Sequence, residues 1–123
     1  MIAREEGRDA DGPSIAIRRE IAILARQKRC RTSEWTADRP TEWRPHTVRD
    51  RNGEFFTDVG AWDFVADLVE NGHPMRQVVL EHPVGKIAFT MTVRVDREGP
   101  EIYIKLRLSK NVIGYSFHYT VYS

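Results

Sequence analysis

The chain has 123 residues, 41% hydrophobic and 30% charged, which supplies apolar material for one core and too little length for two ordinary domains. Its single cysteine, Cys30, excludes an internal disulfide, and no stretch approaches the ~20 apolar residues of a membrane-spanning helix. The net charge of +1 conceals a segregation: residues 1–53 carry 12 Lys and Arg against 9 Asp and Glu, residues 54–82 carry 1 against 6, and residues 83–123 carry 6 against 3.

In chain order, residues 1–13 are charged, contain Gly and Pro, lack periodicity and read as a disordered tail. Acids at Glu5 and Glu6 stand where a signal peptide carries an apolar run, and with the lone thiol they make the cytoplasm the expected location and a membrane an unexpected one. Residues 14–123 then form one domain: an N-terminal helix and connector over 14–50, and a helix-plus-sheet core over 51–123. The first helix is predicted over 14–28, with Ser14 as N-cap and Ile17, Ile21 and Leu24 on one face. Arg26, Lys28, Arg29 and Arg31 near its end complement the negative pole of the helix dipole, a reading preferred to a phosphate-binding patch. Residues 32–45 read as an irregular connector with tryptophan anchors at Trp35 and Trp43.

Arg51-Asn52-Gly53-Glu54 signals a turn between short extended pieces. A second helix is predicted over 58–71, capped by Thr57 or Asp58, with Trp62, Val65, Leu68 and Val69 as its apolar stripe and Asn71-Gly72 as its stop. Four β-rich runs follow, 76–80, 86–95, 102–108 and 112–120. The last links are too short for a crossover helix, so the fold class is α+β: an antiparallel meander with one or two helices on one face.

Side chains alternate across a strand, so each run can be sorted by parity. Ile87, Phe89, Met91, Val93 and Val95 oppose Ala88, Thr90, Thr92 and Arg94; Ile102, Ile104, Leu106 and Leu108 oppose Tyr103, Lys105 and Arg107; Ile113, Tyr115, Phe117 and Tyr119 oppose Val112, Gly114, Ser116 and His118. Aligning the apolar sides puts Tyr103 level with Ser116 or His118, since a one-residue slip would carry Tyr115 and Phe117 to the face of Lys105. The second face then gathers Thr90, Thr92, Arg94, Tyr103, Lys105, Arg107, Ser116 and His118, with no carboxylate among them.

Such a face can be the wet side of a one-sided sheet. It also suits a polyanion: the cations form a row of fixed positive charge, Tyr103 can stack on an unpaired base, and a free imidazole titrates near pH ~6.5. RNA cleavage by side chains alone needs a base for the 2′-hydroxyl, an acid for the leaving 5′-oxygen and cations for the phosphorane. Zinc is not expected, because the histidines are scattered and there is one cysteine. Gly-rich phosphate loops are absent, Ser116 lacks a nucleophile-elbow context, and the tryptophans with Met75 and Met91 read as core, so no cofactor is expected.

The stretch Ile102-Tyr103-Ile104-Lys105-Leu106, a short turn, then Val112-Ile113-Gly114-Tyr115-Ser116-Phe117-His118 resembles the last two strands of the MqsR-like toxins, within the RelE-like group of toxin–antitoxin ribonucleases. The resemblance spans the C-terminal sheet and, in outline, the helix before it, whereas residues 1–50 add a basic helix and a tryptophan-bearing connector that the smaller toxins lack. It implies that Tyr103 takes the position of the family's catalytic tyrosine, His118 that of its C-terminal basic residue and Arg76 that of a basic residue after the preceding helix. The expected activity is therefore a metal-independent endoribonuclease acting on mRNA, free or on the ribosome, and held in check by a cognate antitoxin. Tyr103, His118 and Lys105 are its expected catalytic residues, with Arg94, Arg107, Arg76, Thr92 and Ser116 binding RNA. The alternative is a non-catalytic module that binds RNA or protein with the same face.

Overall fold

Two hydroxyls start the two helices. Ser14 Oγ accepts from Ile17 N at 3.2 Å and Thr57 Oγ1 from Gly60 N at 2.9 Å, each giving a partner to a donor that the first helical turn leaves orphaned. In the computed structural model, which describes residues 12–81 and 83–120, helix α1 spans Ile15–Ala25 and helix α2 spans Asp58–Glu70. Residues 1–11 of the expected tail lie outside the described residues. Helix α1 stops short of its predicted end and is followed by a 3₁₀ turn at Lys28–Cys30. Of the cations there, Arg31 Nη1 donates to Ala25 O at the end of α1, at 2.9 Å, whereas Arg26 Nη2 turns to α2 and reaches Asp67 Oδ1 at 2.7 Å and Glu70 Oε1 at 2.8 Å. Gly72 closes α2 with φ of 81°, a left-handed conformation that glycine adopts without a Cβ penalty.

Six strands form one mixed, mostly antiparallel sheet: β1 Arg31–Thr32, β2 Glu42–Trp43, β3 Arg76–Glu81, β4 Val84–Val93, β5 Ile102–Leu108 and β6 Val112–Tyr119. The meander β3 to β6 is antiparallel as predicted. The connector corrects the expectation of irregular structure, because β1 and β2 both pair in parallel with β6, at Val112–Ile113 and at Ser116–Phe117. They act as one edge strand interrupted by residues 33–41. With β5 on one side and this edge on the other, β6 is buried along nearly its whole length.

Both helices pack on one face. Ile21, Ala22 and Ala25 of α1 and Ala61, Trp62, Val65, Ala66 and Val69 of α2 meet Phe89, Met91, Ile102, Ile104, Leu106, Val112 and Phe117 of the sheet. Ile104 pairs with Phe117, while Lys105 pairs with Ser116 on the opposite face, as the parity reading requires. Half of β6 does not follow that reading. A bulge between Lys105 and Leu106 shifts the register so that Leu106 meets Gly114 and Leu108 meets Val112, leaving Tyr115 as the extra residue. Val112 and Gly114 therefore turn to the helices, and Ile113 and Tyr115 join Leu80 and Ala88 in a second small cluster on the other face. The slip that sequence parity rejected occurs for Tyr115, while Phe117 keeps its place.

Gly114 has a steric role in this arrangement. The Trp43 ring lies against it so closely that a Cβ would sit 2.5 Å from the indole. The ring has nowhere to retreat, since it stacks on Trp62 at 4.5 Å between centroids, touches Phe117 at 5.3 Å and donates from Nε1 to Asp58 Oδ1 at 3.1 Å. Gly114→Val is expected to lower stability by about 1–3 kcal/mol through overpacking, read as a drop in the urea midpoint at unchanged slope. An unchanged midpoint would mean that the tryptophan pair yields freely.

Candidate functional site

The face turned away from the helices is organised in rows across the strands. One row runs Thr92, Tyr103, His118; the next runs Arg76, Thr90, Lys105, Ser116; beyond them Val78 pairs with Ala88 and Arg107 with Ile113. Tyr103, Lys105, His118 and Ser116, chosen from sequence parity, thus occupy neighbouring positions, and Tyr103 is level with His118 as one of its two expected partners. Thr92 and Arg76 are exposed on the same face. Arg107 is half-buried one row further on. Arg94 lies just past the end of β4, where its guanidinium donates to Gly99 O in the β4–β5 turn.

The imidazole of His118 is only 8% exposed and is held from several sides. Its Nδ1 faces the Tyr119 carbonyl oxygen at 2.9 Å, which makes Nδ1 the donor and assigns Nε2 to any proton exchange. The Tyr103 ring lies beside it, 5.6 Å between centroids. Burial raises the Tyr103 phenol above its ordinary value, so this group holds its proton across the neutral and mildly alkaline range.

The expectation of an acid-free face is corrected here. Parallel pairing of β2 with β6 sets Glu42 opposite Ser116 and brings Glu42 Oε1 to 3.5 Å from His118 Nε2, an ion pair whenever the imidazole is protonated. Arg44 Nη2 approaches the other carboxylate oxygen at 4.0 Å. Neither residue was visible to parity, because a two-residue strand carries no period and its partner lies far along the chain. Tyr115 was also missed, and it arrives on this face only through the bulge. Its side chain is buried, with a hydroxyl that has no hydrogen-bond partner among the described residues.

Two hollows flank Lys105. One is walled by Pro40, Val78, Leu80, Tyr103 and Tyr115, the other by Trp35, Thr41, Arg44, Tyr115 and Ser116. Trp35 departs from the core reading: Trp62 is buried and Trp43 half-buried in the helix–sheet interface, but Trp35 is 62% exposed. Among the described residues, no three His, Cys, Asp or Glu side chains gather as a metal site would need, and no helix is long and apolar enough to cross a membrane. Compared with family models, curated proteins and solved structures, the chain matches none.

Proposed function

We propose that the chain is a toxin-type endoribonuclease that cleaves mRNA on the sheet face opposite the helices. The observation that carries this reading is the grouping of Tyr103, Lys105 and His118 on adjacent rows of β5 and β6, with Glu42 3.5 Å from the imidazole. His118 Nε2 takes the proton of the 2′-hydroxyl as that oxygen bonds to phosphorus, and the Glu42 carboxylate faces the imidazolium so formed. The bond from phosphorus to the 5′-oxygen breaks, and Tyr103, kept as a neutral phenol by burial, gives its proton to the leaving oxygen. The products are a 2′,3′-cyclic phosphate and a 5′-hydroxyl, after which phenolate and imidazolium return to their starting states by exchange with water. Lys105, with Arg107 and Arg76 along the face, offsets the charge on the phosphorane, and Thr92 and Ser116 line the path of the backbone. In this reading the protein works in the cytoplasm, and its antitoxin silences it by covering the same face.

A non-catalytic binding module is favoured by one observation, the burial of His118, which narrows a substrate's access to Nε2. Incubating the purified chain with single-stranded RNA and with translating ribosomes separates the two. The nuclease reading expects fragments ending in a cyclic phosphate and beginning with a 5′-hydroxyl, and growth arrest on expression that a neighbouring gene relieves. RNA left intact in both incubations would leave the binding module.

A further inference from the structure

Residues 33–41, which interrupt the edge strand beside the bulge at Tyr115, form a pinned excursion. Thr36 and Arg39 exchange backbone hydrogen bonds at 3.1 and 3.0 Å, Arg39 Nη2 donates to Glu34 O at 3.2 Å, and Thr41 Oγ1 donates to Ser33 O at 3.0 Å. The excursion holds an exposed indole, that of Trp35, at the rim of a hollow of about 390 Å³ whose other walls include Arg44, Lys105, Tyr115 and Ser116. A lone exposed tryptophan needs no explanation. This one shares a concavity with two cations, Lys105 and Arg44, an arrangement of π-face and fixed positive charge. Glu42 also lines the hollow, its carboxylate 4.0 Å from Arg44 Nη2 and 3.5 Å from His118 Nε2, the latter an ion pair only when the imidazole is protonated.

From this geometry we infer that the hollow is a subsite for one unpaired RNA base, stacked on Trp35 while Lys105 and Arg44 hold the adjoining phosphate. The inference rests on the RNA reading of the same face and adds the strand state of the substrate. Stacking on an aromatic ring tolerates any base but requires one that is free of a duplex, because a paired base presents no open π-face. The hydrogen bonds of the excursion fix the backbone near the ring, which limits the backbone entropy lost on binding.

The test uses a short single-stranded oligonucleotide with 2′-O-methyl riboses, which cannot be cleaved, and the same sequence as a duplex. Binding of the single strand is expected to quench tryptophan emission, since Trp35 is the exposed indole. Trp35→Ala is expected to weaken binding about 5- to 150-fold, the equivalent of one stacked base. Trp35→Phe should keep most of the affinity and lose the quench, and Phe55→Ala, an exposed aromatic elsewhere, should bind as the wild type does. The inference is overturned if Trp35→Ala binds normally, if Phe55→Ala loses as much, if the duplex binds equally well, or if no oligonucleotide binds. Cleavage of natural RNA together with normal binding by Trp35→Ala removes the subsite and leaves the nuclease. Binding that depends on Trp35, with no cleavage of natural RNA, removes the nuclease and leaves the subsite.

Discussion

Truncating Phe117 to alanine is expected to cost about 3–5 kcal/mol, close to half the stability of an ordinary domain. The side chain is fully buried where β6, β2 and α2 meet. Its ring lies 5.2 Å from Phe56 and 5.3 Å from Trp43 between centroids, and 6.3 Å from Phe64, so one deletion removes contacts to three aromatic neighbours. The surroundings cannot close over the gap easily, because the strand is fixed on both sides: Phe117 O accepts from Arg44 N at 2.9 Å, and its residue pairs with Ile104 of β5. Trp62→Ala should cost a similar amount for the same reason, with the Trp43 stack lost in addition. Urea denaturation measures both. A loss below about 1 kcal/mol would mean that these rings are not at the centre of the core.

Phe117 also marks how far the fold could be read from local pattern. The residues that state their own conformation were legible: hydroxyl caps at Ser14 and Thr57, a left-handed stop at Gly72, and strict alternation along β5, where Ile102, Ile104 and Leu106 are buried and Tyr103, Lys105 and Arg107 are half-buried on the other side. β6 obeys a different rule. A strand covered on both faces has no need to alternate, and its one extra residue swaps the faces of Ile113 and Tyr115 without leaving a trace in their spacing. The site divides along the same line. Tyr103, Lys105, Ser116 and His118 followed from alternation in neighbouring strands, whereas Glu42, Arg44 and Trp35 reach the face through parallel pairings to β6 that depend on tertiary contact alone.

If His118 exchanges the proton of the 2′-hydroxyl, His118→Gln should lower the cleavage rate by about 10²–10⁴-fold, because glutamine keeps hydrogen-bonding capacity but cannot take up the proton. RNA affinity should stay near the wild-type value, since Lys105, Arg107 and Arg76 are untouched, so the loss should fall on kcat rather than KM. Toxicity on expression should vanish with the rate. Glu42→Gln asks whether the carboxylate acts through the imidazole: in that case it changes the pH profile of the wild-type rate and leaves the His118→Gln rate unaltered, the non-additivity of two groups that work as a unit. Tyr103→Phe should remove the proton donor. Because burial raises the phenol, the wild-type rate should hold through the mildly alkaline range and fall only above pH ~10 as the donor ionises. An alkaline limb that begins near neutrality would show that Tyr103 is not the acid. Cleavage by His118→Gln at the wild-type rate would show that Nε2 moves no proton, and the face would then be a binding surface.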